Sequence, residues 1–348
     1  MSVHPGRVII GMMACLVMLG AGRLFDTIHS TLVDESTARF DDLLFHWRYW
    51  FFGVFPTPSR AISGVSLPDF SDLQDVFRLE PASLFLIAAL ACIFALASGA
   101  MARMVAVDIA ADADMSTRHA VRFSLARWKS LLLGHLIPIG FLIGAMLALG
   151  AFGKVLLSLS GVAIIGAALF GIAAVVGVIA MGVWFALTLG GWMLAPAVVC
   201  ESTDAVDAMQ RCAAYIFKRV GHALLYLAIL VGVGVVALWI VRYIFIGGLE
   251  FAAASAQQWL SDERVAELHK SGTIAGRVLT FWRWFFELIV SGWLLSYVST
   301  GATLMYLALR RVCDDQDPRD LWMEAGRREP VMPELAEEAP AETDQPDE

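Results

Sequence analysis

The chain has 348 residues, of which 58% are hydrophobic and only 17% are charged, and its mean hydropathy is +0.69. This composition excludes an ordinary soluble domain and is typical of a protein with several membrane-spanning helices. The net charge of −8 is unevenly placed: residues 314–348 contain thirteen Asp/Glu and three Arg, a net of −10, which leaves +2 for residues 1–313. The sequence therefore predicts an all-α polytopic membrane domain over 1–313 and an acidic, disordered tail over 314–348.

The first apolar run predicts a retained span over 8–25, with a cleaved signal peptide as the alternative because small residues end the run. Residues 26–82 are expected to form an outer loop. Within it, FHWRYWFFGVF (45–55) is typical of an interfacial helix, since Trp and Tyr prefer the lipid–water boundary. No basic groove surrounds these aromatic residues, so no nucleic-acid partner is predicted.

Two clear spans follow at 83–104 and 131–153, and residues 155–200 then contain no charged side chain. A single helix of that length would be roughly 70 Å long, against a hydrocarbon core of about 30 Å. Its spaced glycines indicate a break, so we predict a short re-entrant or interfacial piece near 155–170 and a span near 172–198. The remaining predictions are a span at 222–247, an outer loop at 248–283 and a sixth span at 284–309.

The short connections at 103–129, 201–221 and 310–311 are rich in Lys and Arg. The positive-inside rule places such connections in the cytoplasm. We therefore expect a multi-pass protein of the bacterial cytoplasmic (inner) membrane, with both termini cytoplasmic.

The two charged interruptions, VAVDIAADADMSTRHAVRFSLARWK and PAVVCESTDAVDAMQRCAAYIFK, have a similar pattern. Each begins with acids and continues as an amphipathic helix, predicted over 115–129 and 203–219. Arg122 precedes Trp128 by the same interval as Arg211 precedes Phe217. This spacing favours a pseudo-repeat of span, surface helix and span, although chance amphipathicity would give the same pattern. The second helix is expected to lie in the membrane surface on one apolar face, formed by Val206, Met209, Ala213, Ile216, Phe217 and Val220.

The stretches ASGAMARMVAVDIAADADMSTRHAVRFSLARWKSLLLGHLIPI, GGWMLAPAVVCESTDAVDAMQRCAAYIFKR and TLMYLALRRVCDDQDPRDLW resemble a family of uncharacterised six-helix bacterial membrane proteins of planctomycete type. The likeness covers most of residues 96–322. More distantly, the span, Pro, Glu and basic helix resemble the membrane domain that accompanies glycerophosphodiester phosphodiesterases, whose catalytic domain is absent here. The resemblance implies a layout without an established activity, substrate or cofactor. His135, Cys212 and Val220 depart from the family pattern.

Two sets of polar residues are candidates for a site. The residues that match the charged motif, and that serve either as a structural network or as a binding site for a head group or partner, are Arg103, Asp108, Arg122, Glu201, Asp204, Asp207, Arg211 and Tyr215. The ionisable residues inside predicted spans are His135, Arg242 and Glu287, for which snorkelling to the interface is the simpler interpretation. An Arg242–Glu287 pair and an Asp207–Arg211 pair are further expectations.

The sequence contains no catalytic or metal-binding motif, and its five cysteines have no C-x-x-C spacing, so we predict no metal and no cofactor. The favoured function is a non-catalytic membrane-organising or complex-associated component. The alternative is a small permease with its substrate path near the broken segment 155–200. An intramembrane lipid enzyme ranks last. The predicted partners are the lipid bilayer and, through the acidic tail, a basic protein.

Overall fold

The computed structural model describes residues 4–32, 81–157, 163–261, 264–265, 273–317, 319 and 321. These residues are almost entirely helical and contain no strand. The chain is therefore an all-α protein, as predicted. Six helical stretches are long and apolar enough to cross a membrane, which confirms the predicted number: Pro5–Phe25, Ala88–Ala111, Trp128–Leu156, Ile164–Glu201, Val220–Gln257 and Ile274–Asp314. The aromatic segment 45–55 and the tail beyond 321 lie outside the described residues.

The described part of the chain contains ten α-helices. They are α1 (Pro5–Leu32), α2 (Pro81–Ala111), α3 (Thr117–Ala126), α4 (Trp128–Phe152), α5 (Ala163–Gly190), α6 (Leu194–Glu201), α7 (Ala205–Lys218), α8 (Val220–Arg242), α9 (Gly248–Gln257) and α10 (Ile274–Asp314). A 3₁₀ turn (Gly191–Met193) joins α5 to α6, and π-helical turns follow α4 (Gly153–Leu157) and α8 (Tyr243–Gly247).

The chain path of α2–α3–α4 repeats in α5/α6–α7–α8. In both units, the helix that leads into the short connecting helix ends at a residue with positive φ. This residue is Asp112 (48°) after α2 and Ser202 (59°) after α6, and its left-handed conformation stops the helix. A short helix follows, and a single non-helical residue, Arg127 or Arg219, separates it from the next span. We call residues 112–127 the first hinge and residues 202–219 the second hinge.

Both hinges lie at the same end of the bundle. Arg7 at the start of α1 bonds Asp108 at 2.5 Å, and Arg127 of the first hinge bonds the Ser202 carbonyl of the second at 2.8 Å. Tyr215 of the second hinge donates to a carboxylate oxygen of Asp314 at 2.5 Å. The start of α1, both hinges and the end of α10 therefore share one end, which we call the charged end; the opposite end is the far end.

The best-packed part of the molecule lies against α6, in which all seven residues from Leu194 to Cys200 are buried. Glycines in α2 and α5 allow these helices to approach the first and second hinge closely. A Cβ on Gly99 of α2 would meet Leu131 at 2.7 Å and the Ser124 hydroxyl at 3.1 Å, and a Cβ on Gly190 would collide with Ile216 of α7. By contrast, α5 and α8 present most of their surface outward, because only 6% of the most apolar window in each of these spans is buried.

Two predicted connections overlap the described helices. Around the predicted re-entrant or interfacial piece near 155–170, a π turn extends α4 to Leu157 and α5 has begun by Ala163, while residues 158–162 lie outside the described residues. The predicted outer loop 248–283 is also largely helical, because α8 continues through its π turn into α9 and α10 begins at Ile274. At about 1.5 Å per residue, the 38-residue stretch Val220–Gln257 is roughly 57 Å long, well beyond a 30 Å hydrocarbon core.

The second hinge helix packs one face against the protein and leaves part of the predicted membrane-facing stripe exposed. The buried residues of α7 are Ala205, Ala208, Cys212, Tyr215 and Ile216, whose small members let the helix pack closely against the bundle. Val206, Phe217 and Val220 are exposed instead. The first hinge and the start of α4 carry a comparable exposed row, Val121, Leu125 and Trp128, at i, i+4 and i+7. Each hinge therefore has one face on the protein and a separate apolar stripe outside.

Candidate functional site

A buried carboxylate at the charged end gathers groups from three helices. Glu201 is the last residue of α6, and its side chain is only 8% exposed. It accepts hydrogen bonds from Arg211 of α7 and from the Tyr306 hydroxyl of α10, and the Nε of Arg310 lies 3.6 Å from its Oε1. We call Glu201, Arg211, Tyr306 and Arg310 the Glu201 centre. Because buried charges are costly unless paired, this centre fixes the relative positions of α6, α7 and α10.

Two arginines from the first half of the chain bind the carboxyl-terminal end of α6. Arg103 of α2 donates to the Val199 carbonyl at 3.2 Å, and Arg127 donates to the Ser202 carbonyl at 2.8 Å. Both guanidinium groups lie over the ring of Phe123, at 4.5 and 6.0 Å. The last carbonyls of a helix lack internal partners and carry the negative end of its dipole, so cations are stabilising there. The two repeat units are thus joined through α6.

An outer layer of contacts holds α7 to the end of α10. Tyr215 bonds Asp314, and Lys218 donates to the Cys313 carbonyl at 2.9 Å. Arg310, besides facing Glu201, donates from Nε to the Gln316 side chain at 2.5 Å. The rings of Tyr215 and Tyr306 lie 5.8 Å apart, which connects this layer to the Glu201 centre.

The surroundings of α7 shift the pKa values of its polar side chains in the directions that favour these hydrogen bonds. Burial acts to lower the pKa of Arg211, but the charge and hydrogen bond of Glu201 together with Tyr306 and Tyr215 outweigh it and the pKa is raised, so the guanidinium stays charged. Burial, followed by the hydrogen bond to Asp314, raises the pKa of Tyr215, which therefore remains a neutral donor. Burial also raises the pKa of the Cys212 thiol, which favours its role as a small packing residue.

Only some residues of the predicted polar set meet. Glu201 and Arg211 form the pair at the core of the centre, Tyr215 lies in its outer layer, and Arg103 binds the adjacent helix end. Arg211 pairs with Glu201 rather than with Asp207, because Asp207 lies on the exposed face of α7.

The other members of that set lie elsewhere. Asp108 bonds Arg7, and Asp204 stands exposed at the N-cap of α7 without a side-chain cap bond. Arg122 is exposed on the outer face of α3. Arg127 and Arg219 occupy equivalent positions, because each is the single non-helical residue before the next span. In this alignment Arg122 is not the counterpart of Arg211, which differs from the prediction based on spacing.

The ionisable candidates inside the spans do not join the Glu201 centre. His135 is buried, with Nδ1 2.9 Å from the Leu131 carbonyl and its ring edge toward Phe94. Glu287 pairs with Arg283, one turn earlier on its own helix, at 3.7 Å, rather than with Arg242. Arg242 is exposed at the end of α8.

The sequence pattern does not identify Tyr306, Arg310 and Arg127 as members of the site. Arg310 and Arg311 indicate only the orientation of the last span, and Tyr306 lies within an apolar run. A usable signal was the i,i+4 spacing of Tyr306 and Arg310, which places both on one face of a helix. Their common partner, Glu201, is 105 residues from Tyr306 and could not be identified from spacing.

Among the described residues, no group of three or more His, Cys, Asp or Glu side chains is placed to hold a metal ion. No known protein family, no curated protein and no solved structure matches this chain. The resemblance to the six-helix bacterial family therefore stays a prediction.

Proposed function

We propose that this chain is a non-catalytic multi-pass membrane protein that organises the membrane or forms part of a larger membrane complex. The observation that supports this best is the Glu201 centre. Its buried carboxylate is engaged by Arg211, Tyr306 and Arg310 of the same chain. The strongest polar contacts therefore serve to fix the hinges to the bundle, which suits a rigid scaffold.

The proposed location is the bacterial cytoplasmic membrane, with the charged end in the cytoplasm. The basic residues of both hinges support this orientation through the positive-inside rule. An aromatic group near the other boundary is consistent with it: Trp239 stacks on Tyr243, and Phe281 packs against Trp282, Trp284 and Phe285. Trp and Tyr concentrate at the lipid–water interface.

The partners that we propose are lipid and the apolar helices of another membrane protein. Large apolar side chains are exposed along α5 and α8, including Ile172, Val178, Val236 and Trp239. Such surfaces are stable only against hydrocarbon or against another apolar helix. The extent of the exposed area favours a component that assembles laterally.

A permease is the second candidate, and one feature favours it. A cleft of ≈ 320 Å³ opens between the far ends of α4 and α5, where Phe152, Phe170 and Gly177 are among its lining residues. Its lining is almost wholly apolar, which suits a lipid chain or an apolar solute more than an ion. The 3₁₀ turn between α5 and α6 supplies the kind of helix break that transporters use.

Reconstitution into vesicles separates these two functions. The scaffold proposal predicts no substrate-specific flux of lipid or solute, together with recovery of one partner at fixed stoichiometry from cross-linked native membranes. For a permease, Phe170→Trp should block flux by filling the cleft, whereas Ile179→Trp, on an exposed position outside the cleft, should not. Flux that is lost in the first variant and kept in the second would overturn the scaffold proposal.

A further inference from the structure

The first hinge carries an exposed basic surface. Residues 117–129 contain four Lys/Arg and no Asp/Glu. Arg118, Arg122 and Lys129 are exposed, and Arg118 and Arg122 lie one turn apart on α3 and so share a face. The buried residues of α3, Ala120 and Ser124, lie on the opposite side. Lys129 follows just beyond the hinge, in the first turn of α4. We call these three exposed cations, Arg118, Arg122 and Lys129, the basic face.

Several acids of the charged end already have partners in the bundle. Asp108 bonds Arg7, Glu201 bonds Arg211, and Asp314 accepts from Tyr215. Asp114 lies 3.5 Å from the imidazole of His4. Among the described residues, the other exposed acids at this end are Asp112, Asp204, Asp207, Asp315 and Asp317. None of them lies within residues 117–129, so the stretch that carries the basic face contains positive charges and no acid.

The chain beyond the described residues starts from this same end. Contacts of Tyr215 and Lys218 hold the end of α10, and Leu321 packs against the main core cluster. Residues 334–348 then contain seven Asp/Glu and no Lys/Arg. The thirteen residues from 321 to 334 can extend to roughly 45 Å, the width of about four packed helices. The acidic segment can therefore reach any part of the charged end.

We propose that the acidic segment 334–348 binds the basic face of the first hinge. Charge complementarity and the position of the attachment both support this choice of occupant. The tether holds the segment at an effective concentration in about the millimolar range, so weak contacts suffice. Exposed ion pairs contribute little individually and are screened over about 8 Å at physiological salt. The contact is accordingly reversible and salt-dependent, and it covers a surface that anionic lipid head groups would otherwise reach.

Carbodiimide coupling of the purified full-length protein in neutral detergent tests the proposal directly. This reagent joins a carboxylate to an amine only when the two are in contact, and the chain has four lysines: Lys129, Lys154, Lys218 and Lys270. Mass spectrometry of proteolytic peptides should find residues 334–348 coupled to Lys129. Lys154 lies on the far-end turn after α4 and is the internal control. Raising NaCl from about 0.05 to 0.5 M should reduce the coupling severalfold.

Matched variants identify the surface. Arg118→Gln combined with Arg122→Gln should lower coupling to Lys129 by about fivefold, because two of the three cations are lost. Arg219→Gln combined with Arg311→Gln changes two exposed cations of the same end and should leave that coupling within about twofold.

Four outcomes would overturn the proposal. One is the absence of coupling to Lys129, and another is coupling to Lys218 alone, which would place the segment on the second hinge. Coupling only between differently isotope-labelled copies would identify a second chain as the occupant. Coupling that persists in vesicles of neutral lipid and disappears in vesicles rich in phosphatidylglycerol would identify anionic head groups as the occupant of the membrane-embedded protein.

Discussion

The first hinge (112–127) and the second hinge (202–219) each carry three Lys/Arg and two Asp/Glu, but both acids of the first hinge precede its helix, whereas Asp207 of the second lies within its helix. The backbone of the two is also the same: a helix that ends in a left-handed residue, a short helix, and one break residue before the next span. In the second hinge, Arg211 meets the buried Glu201, whereas Asp204, Asp207 and Arg219 are exposed. In the first, Arg127 bonds the end of α6, whereas Arg118 and Arg122 are exposed.

The comparison separates two uses of one structural unit. The second hinge serves the interior, since it ties α6, α7 and α10 together through the Glu201 centre. The first hinge contributes Arg127 to that interior and leaves its other cations exposed. The same backbone path thus places an arginine against a buried carboxylate in the second hinge and against the end of a helix in the first. The contact with the carboxylate should matter more for stability, because charges with buried partners contribute strongly and exposed charges contribute little.

The largest effect is expected from labelling that tests whether the hinges share one side. In a cysteine-free background, Arg118→Cys and Asp207→Cys should react with an impermeant thiol reagent from the same side of sealed vesicles, and Glu250→Cys from the other. All three positions are exposed, so reactivity reports sidedness. Opposite sidedness of 118 and 207 would break the comparison entirely.

Removal of the buried carboxylate should destabilise the protein by about 3–5 kcal/mol, because Glu201→Ala leaves the buried Arg310 and the neighbouring Arg211 without their anion. Thermal unfolding in detergent measures the loss. Asp207→Ala, an exposed acid of the same hinge, should stay within about 0.5 kcal/mol. If Glu201→Ala does not accumulate, Tyr306→Phe removes one hydroxyl from the same carboxylate and should cost about 1–3 kcal/mol. Equal effects for Glu201 and Asp207 would refute the buried centre.

Glycine substitutions should test the packing that the two hinges share. Gly99→Val and Gly190→Val each place atoms against the following helix, and overpacking of this kind costs about 1–3 kcal/mol. Gly171→Val is the control, because a Cβ there meets nothing within 4 Å. The same unfolding assay applies, and a harmless Gly190→Val would show that α7 does not pack closely against α5.

The smallest effect is expected at the break residues. Arg127→Gln replaces the cation at the end of α6 with a neutral amide and should lower the free energy of unfolding by about 1–2 kcal/mol. Arg219→Gln alters the exposed counterpart and should change stability by less than about 0.5 kcal/mol. Two equal values from chemical unfolding would mean that the first hinge does not support the second.

The sequence was a good guide to helices and a poor guide to their ends. Long apolar runs predicted six spans, and the charged interruptions predicted two short helices at 115–129 and 203–219, which the structure places at Thr117–Ala126 and Ala205–Lys218. Near 155–170 one helical element ends at Leu157 and the next begins at Ala163, whereas Gly171 and Gly177, two of the glycines that indicated a break, lie inside a regular helix. Helix termination depends on capping and packing as well as on composition.

Two of the four residues of the Glu201 centre could be predicted from the sequence. Glu201 and Arg211 stand out as charges between apolar runs, and both belong to the centre. The i,i+4 spacing predicted Asp207 as the partner of Arg211. In the structure Arg211 pairs instead with Glu201, whose carboxylate is buried. Tyr306 carried no comparable signal, because a tyrosine in an apolar span looks like any other aromatic residue until its partner is known.

The pattern of apolar runs and charged interruptions is enough to specify an all-α chain with six helices long and apolar enough to cross a membrane, joined in two places by charged hinges. In lipid every backbone polar group must be bonded within its own segment, so the length and position of apolar runs are enough to specify such helices. Tertiary structure alone decided which charges are buried and which remain exposed. The bonds from Tyr306 to Glu201 and from Tyr215 to Asp314 join residues about a hundred positions apart, and only the packing of α6, α7 and α10 brings those groups within reach.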